Sequence, residues 1–273
     1  MARFRLVCST GAFTHFPDRA DHRAILDFGP RLDVEGFELV VFPTWDLDVV
    51  AGELLKSGLR FPVIHADKTV GAGLGATTVA ARDAGAARLV QNVRLAEMLG
   101  AHLVVLHLWD SPASDAYLQR NLETLARCHE AASSAGVEFA VETLPSEHGT
   151  PLSNIREVIE TDGRLAVALD TEFLALHGEL TTALDADWLW ENHIVRHIHL
   201  KDFDGSLRDA NGRRRYLHPG DGDIDFDAVA RALKRRAFIG TASLESSAVG
   251  ANGEVDVPRI ERSLSLLTAL ANS

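Results

Sequence analysis

The chain alternates between short apolar runs and longer segments with helical spacing. The runs have about six residues each, which is the usual length of a β-strand, and most of them end in a polar or charged residue. Eight such runs predict eight strands, at residues 4–9, 36–41, 61–66, 102–108, 137–142, 165–170, 195–201 and 239–245. Each later run is followed by a segment long enough for one helix and two turns, so the pattern predicts regular β–α alternation.

Helix signals lie between these runs. Thr150 is a possible N-cap before Pro151, a residue type favoured at the first helical position, and Asp225 precedes another helical segment. Alanine-rich or amphipathic spacing predicts three further helices, at residues 77–99, 116–134 and 256–271. Eight βα units in about 250 residues describe a (β/α)8 TIM barrel, an α/β fold. Because no Pro-, Gly- or Ser-rich linker divides the chain, we expect residues 1–273 to form a single domain.

Side-chain alternation orients the residues at the strand ends. Successive strand residues point to opposite faces of a sheet. In residues 165–170 the bulky aliphatic side chains share one face, and Asp170 shares the other with two alanines. In residues 195–201 the same rule places His199 and Lys201 together on the inward face. Polar residues at the C-terminal ends of barrel strands are typical of an active-site rim in this fold.

Four strand-end residues form the strongest candidate site, namely Glu142, Asp170, His199 and Glu245. A single strand-end carboxylate is more often a helix N-cap or a surface group, but four such residues on successive parallel strands would converge. Carboxylates and an imidazole suit Mn2+, Mg2+, Co2+ or Zn2+. The pattern therefore predicts one divalent metal ion held by these four residues.

Other polar or aromatic residues are candidates for substrate binding. His65 and His107 fall on inward-facing positions of earlier strands and could bind substrate hydroxyls, or hold a second ion with Glu142 as the bridge. Trp109 follows on the same face as His107 and could pack against the apolar side of a substrate. For the two histidines the alternative is a hydrogen-bonded core residue, and for Trp109 it is an aromatic residue packed at the rim.

Lys201 and His218 complete the predicted substrate-binding set. Lys201 shares the face of His199 and could stabilise a developing oxyanion. Asp202 alternates to the outward face, so we predict that it has a structural role and does not contact substrate. His218 opens a loop whose glycines permit tight turns near the rim.

Composition and charge narrow the class of protein. With 27 basic and 39 acidic residues the net charge is −12, which disfavours a nucleic-acid partner. No apolar run approaches the roughly 18 residues needed to span a bilayer, and no signal-type segment opens the chain. We therefore expect no membrane partner. The two cysteines suggest no disulfide framework and lack metal-type spacing, so we expect a reducing, cytoplasmic compartment. The basic residues 213–215 beside an Asn-Gly pair are expected to form a solvated turn.

Taken together, these motifs resemble the xylose-isomerase-like barrel superfamily over nearly the whole chain. The resemblance rests on HADK, VETLP, ALDT, HIHLKD, PGDGDIDF and SLES. That superfamily contains sugar isomerases and epimerases, inosose and dehydroshikimate dehydratases, and metal-dependent abasic-site endonucleases. The resemblance implies that its metal quartet corresponds to Glu142, Asp170, His199 and Glu245.

Departures from the superfamily pattern bear on the reaction. Phe173 stands where many members have a histidine, and Arg215 and Leu217 stand where the endonucleases have further metal ligands. Gly205 stands where the ketose 3-epimerases have an arginine. These departures argue against a trinuclear endonuclease and against a close match to those epimerases.

The sequence therefore predicts a metal-dependent sugar isomerase or epimerase. Its substrate would be a small polyhydroxylated carbonyl compound, and the reaction would pass through a metal-stabilised enediolate. Glu142 and Glu245 would remove and return the proton. Three alternatives stay open: a dehydratase, a non-catalytic sugar-binding barrel, and an endonuclease-like hydrolase. The sequence leaves the substrate, the metal, the number of ions and any homo-oligomer undetermined.

Overall fold

The structure, a computed structural model, describes residues 4–14, 20–250 and 252–272. Eight strands follow one another in the order β1 to β8 and close into a barrel, and every strand pairing recorded between neighbours is parallel. The predicted (β/α)8 TIM-barrel fold is confirmed. The strands are β1 Arg5–Ser9, β2 Phe37–Val40, β3 Val63–His65, β4 Leu103–Leu106, β5 Glu138–Glu142, β6 Ala166–Asp170, β7 Val195–Leu200 and β8 Thr241–Leu244.

Each observed strand lies inside its predicted run and is shorter than that run. Strand β8 ends at Leu244, so Glu245 is the first residue after the strand and does not close it. Strand β4 ends at Leu106, so His107 also follows its strand directly. Both side chains therefore sit on the loops at the C-terminal ends of their strands, where this fold carries its active sites.

The helices agree with the predictions except at 116–134 and in the loops. Residues 116–134 were predicted as one helix, but they contain two α-helices joined by a 3-10 turn. Several short helices in the loops were not predicted from the sequence. Within the described residues the α-helices are α1 Arg23–Phe28, α2 Leu47–Ser57, α3 Thr69–Leu74, α4 Val79–Leu99, α5 Leu118–Leu125, α6 His129–Ser134, α7 Pro151–Thr161, α8 Thr171–Leu176, α9 Leu180–Asp185, α10 Asp187–Trp190, α11 Phe226–Arg235 and α12 Val257–Asn272. Five 3-10 helices accompany them, at Thr10–Ala12, Gly29–Arg31, Pro112–Tyr117, Ala126–Cys128 and Glu191–His193.

The first of two compact units comprises Met1–Phe37 and Leu169–Ser273. In it β8 pairs with both β7 and β1, and His199 stands opposite Ser243 in the β7–β8 ladder. Helix α11 begins at the predicted cap, because the Asp225 carboxylate accepts the Ala228 N–H at 2.8 Å. The apolar face of α11 is buried, which accounts for its amphipathic sequence.

The second unit comprises Glu38–Ala168. Its core packs valine and leucine of β3 and β4 against small alanines of β5 and β6. Helix α7 has the predicted Thr150 cap. The Thr150 hydroxyl oxygen accepts the Ser153 N–H, and the Ser153 hydroxyl oxygen accepts the Thr150 N–H. Helices α3 and α4 approach closely at Gly73 and Gly85, where a Cβ on Gly85 would lie 2.6 Å from the Gly73 carbonyl carbon.

None of the helices in the described part of the chain combines the length and apolar character required to cross a membrane.

Candidate active site

Seven of the candidate residues form two clusters, one in each unit. The first cluster consists of Asp170, His199, Lys201 and Glu245, all in the first unit. The second cluster consists of His65, His107 and Glu142, all in the second unit. Each cluster gathers side chains from the C-terminal ends of its strands.

An ammonium group bridges the two carboxylates of the first cluster. Lys201 Nζ lies 2.5 Å from Asp170 Oδ2 and 2.7 Å from Glu245 Oε2. His199 Nδ1 lies 3.1 Å from Glu245 Oε2 and 3.8 Å from Asp170 Oδ2. Asp170 and His199 are completely buried, and Lys201 is 5% exposed. The predicted inward placement of His199 and Lys201 thus brings both of them to the same pair of acids.

Local structure holds Asp170 in place. It ends β6 and caps α8, because its Oδ1 accepts the Phe173 N–H at 2.9 Å. The Thr171 hydroxyl bonds the backbone of Lys201 on both sides, at 2.6 Å to its carbonyl oxygen and 3.0 Å from its N–H. These bonds tie the residue after Asp170 to the end of β7.

Phe173 gives the first cluster an aromatic wall. Its ring centroid lies 4.7 Å from Lys201 Nζ, which is a cation–π distance. The sequence identified Phe173 only as a departure from the superfamily pattern, and its contact with the lysine was not foreseen.

The second cluster places one carboxylate oxygen between two imidazoles. Glu142 Oε2 lies 2.8 Å from His107 Nε2 and 3.2 Å from His65 Nε2. Burial lowers the pKa of His107 to about 4, against the opposing effect of Glu142, so His107 is neutral at neutral pH. His65 Nδ1 faces the Ala66 carbonyl at 2.9 Å and must donate to it, since a carbonyl only accepts.

The donor chemistry of both clusters fits a divalent ion. In the first cluster one ligand atom each from Asp170, His199 and Glu245 lies within 4.8 Å of the others. The same holds for His65, His107 and Glu142. Carboxylate oxygens and imidazole nitrogens are the ligands that Mn2+, Co2+ and Zn2+ accept. Two buried carboxylates share one ammonium in the first cluster, and such buried charge favours a further cation.

Two of the predicted substrate contacts are engaged elsewhere. Trp109 is buried, and its Nε1–H donates to the Pro145 carbonyl at 3.0 Å. His218 is buried as well, with Nδ1 2.8 Å from Ser263 Oγ and Nε2 3.4 Å from the Ser247 carbonyl. Contact of either residue with a substrate stays a prediction, and His218 would have to release a partner to make one.

Asp202 is the structural partner that the alternation predicts. Its carboxylate is completely buried and accepts backbone N–H groups around the glycine loop. The donors are Phe203 at 2.8 Å, Gly220 at 2.8 Å, Gly222 at 2.9 Å and Ile224 at 3.0 Å. One side chain therefore shapes the loop that follows His218.

The basic cluster at 213–215 is not a uniformly solvated turn. The Arg214 guanidinium makes a two-pronged ion pair with the buried carboxylate of Glu172, and it stacks over the Tyr216 ring. The prediction is therefore wrong for Arg214. The prediction fails because Arg214 is held by a tertiary contact: Glu172 lies on α8, far from Arg214 in the sequence.

The buried imidazole of His218 makes stability depend on pH. Burial lowers its pKa from 6.5 to about 4, so the folded protein keeps it neutral where an unfolded chain takes up a proton. Its contribution is present above pH 6.5 and is lost as the pH falls towards 4, by up to roughly 3 kcal/mol. Urea unfolding between pH 7.5 and 4.5 should show a shallower pH slope for His218→Gln than for wild type. The exposed His148→Gln is the control, and equal slopes for all three proteins would refute the expectation.

The whole chain has known structural counterparts. A D-allulose 3-epimerase from Methylomonas sp. in complex with D-allulose has a TM-score of 0.72 and 16% identity, covering 98% of each chain. A 3-keto-D-glucoside 4-epimerase from E. coli has a TM-score of 0.70 and 16% identity, covering 98% of this chain and all of that one. The IOLI protein with a zinc atom has a TM-score of 0.68 and 15% identity, covering 98% and 96%.

Sequence comparison defines the family but not a near relative. No curated protein matches the chain in sequence. The model of one family matches residues 27–269, which is most of the chain. The chain belongs to the family of xylose isomerase-like TIM barrels.

Proposed function

We propose that the protein is a divalent-metal-dependent isomerase or epimerase of a small polyhydroxylated carbonyl compound. The observation that carries the proposal is the pair of acids Glu142 and Glu245. Each is buried beside nitrogen groups at the C-terminal end of its own barrel strand. Two such acids suit a reaction that removes a proton from carbon and returns it.

The proposed ligands of the ion are Glu142, Asp170, His199 and Glu245. Their donor atoms match a divalent transition metal, and the family resemblance assigns the same four positions. A bound ion would supply Lewis acidity, polarising the carbonyl and neighbouring hydroxyl oxygens of the substrate. A second ion held by His65, His107 and Glu142 would instead favour a hydrolytic reaction.

The chain's own groups perform the proton transfer and the positioning. Glu142 and Glu245 act as the base and the acid at the carbon next to the carbonyl. The neutral imidazole of His107 can donate or accept a hydrogen bond, as substrate hydroxyls require. Lys201 brings a positive charge to the side of Glu245. Because Glu142, Glu245 and Lys201 are buried, electrostatic interactions at these groups are stronger than they would be in water.

The structural counterparts support the substrate class. One was solved with D-allulose, and another is titled a 3-keto-D-glucoside 4-epimerase. The third contains zinc. At 15–16% identity these likenesses establish the fold, so sugar chemistry and metal dependence are carried to this chain as a proposal.

Proton NMR in D2O tests the reaction. The protein, first stripped with chelator and then reloaded with Mn2+, Co2+ or Zn2+ for separate assays, is incubated with a panel of ketoses, ketosugar acids and inososes. We expect metal-dependent deuterium incorporation next to the carbonyl with every hydroxyl retained. Enone absorbance with loss of a hydroxyl would identify a dehydratase instead. No exchange with any substrate under any metal would support the non-catalytic barrel.

A further inference from the structure

The geometry points to Lys201 as the resident counter-cation of the first cluster. Its ammonium pairs with Asp170 and Glu245 when no metal is bound, and metal binding has to draw those carboxylates away from it. Lys201 thereby stabilises the metal-free protein and lowers its affinity for the ion. This inference rests on the proposed function for the identity of the metal ligands, and it adds a residue that tunes their affinity.

The contacts of the ammonium carry the inference. Lys201 Nζ lies 2.5 Å from Asp170 Oδ2 and 2.7 Å from Glu245 Oε2, and Glu245 Oε2 is also the oxygen nearest His199 Nδ1. The ammonium therefore uses oxygens that the proposed ion also needs. An ion and an ammonium drawn to the same oxygens repel each other, and burial strengthens that repulsion.

The surroundings hold Lys201 in this position. The Phe173 ring faces the ammonium at 4.7 Å, and the Thr171 hydroxyl fixes the lysine backbone. The lysine side chain is 7% exposed, so little water competes for the ammonium. A lysine held in this way is part of the folded core of the cluster, and it is not a mobile surface group.

Removing the charge separates its two effects. Lys201→Met keeps a long apolar side chain and leaves two buried carboxylates without their ammonium. We expect the melting temperature of the metal-free variant to fall by about 5 °C or more, because removing one partner of a buried pair is strongly destabilising. We expect its affinity for Mn2+, measured by isothermal titration calorimetry, to rise at least about tenfold. Added Mn2+ should then raise the melting temperature of the variant more than that of wild type.

Matched variants show whether the charge of Lys201 causes the changes in melting temperature and in Mn2+ affinity. Lys56→Met makes the same change at an exposed position on α2 and should alter neither quantity. Lys201→Arg keeps the charge and should restore most of the metal-free melting temperature. Phe173→Leu removes the ring and keeps the lysine, so it should shift both quantities in the same direction as Lys201→Met but less. That variant carries the test if Lys201→Met does not fold.

The outcomes distinguish this inference from the proposed function. Unchanged or weaker Mn2+ binding by Lys201→Met, or a metal-free melting temperature equal to wild type, would overturn the inference. Wild-type protein that binds no Mn2+, Co2+ or Zn2+ would instead overturn the proposed metal-dependent function. In that case a fall in melting temperature for Lys201→Met that Lys201→Arg restores would still support the counter-charge role.

Discussion

Replacing Glu142 by glutamine is expected to lower turnover by at least about a thousandfold while the protein stays folded. General acid–base catalysis contributes roughly 10²–10⁴ in rate, and the same change removes a proposed metal ligand. Glutamine keeps the size of the side chain, and its amide can still hydrogen-bond the two imidazoles that lie 2.8 and 3.2 Å from Glu142 Oε2. The measurement is the initial rate on the substrate identified by NMR, together with the melting temperature.

A control lies on the same strand. Glu138 begins β5 and is exposed, whereas Glu142 ends it and is buried. Glu138→Gln should keep nearly all of the wild-type rate. If Glu142→Gln retained more than a tenth of that rate, Glu142 would not be the acid or the base of the reaction.

Replacing Asp202 by alanine should be the most destabilising of the changes considered. Its buried carboxylate accepts four backbone N–H groups, and alanine leaves these donors without their acceptor. The four donors are only part-buried, so water can satisfy some of them after the change. Because a hydrogen bond to a charged group contributes about 1.5–3 kcal/mol, a loss of about 4 kcal/mol in the free energy of unfolding is still expected. Urea denaturation followed by circular dichroism measures this loss.

Asp209 provides the comparison for Asp202. Its carboxylate also accepts backbone N–H groups, from Asn211 and Arg213, but in an exposed turn where water can replace it. Asp209→Ala should therefore lower the free energy of unfolding far less than Asp202→Ala does. Equal losses for the two variants would show that the burial of Asp202 does not matter for the loop.

Much of the barrel could be predicted because its signals are local. Runs of apolar residues place each strand, and the period of two puts His199 and Lys201 on the same face. The caps at Thr150 and Asp225 were also visible, since an N-cap bonds a residue only three positions away. The alternation of side chains fails beyond the strand ends. Strand β4 stops at Leu106, so alternation does not determine where Trp109 points.

The parts that could not be predicted depend on distant residues. His218 is held by Ser263 on α12, and Arg214 by Glu172 on α8, and no local pattern announces either pair. The ammonium of Lys201 reaches Asp170, which ends β6, and Glu245, which follows β8, although the sequence suggested a role towards substrate. The 3-10 turn at Ala126–Cys128 interrupts a helix without any proline or glycine to mark it.

The Thr171 hydroxyl has a consequence for how the proposed ion would be acquired. Because this group joins the end of β6 to the end of β7, the spacing of the segments that carry Asp170 and His199 is set as the chain folds. Loading of the proposed ion would then require the side chains of Asp170 and Glu245 to exchange Lys201 for the ion, but no folding step. Zinc fingers differ, because their folding waits for the metal. A site that folds before its proposed ion binds would leave the choice of metal largely to what the cell supplies.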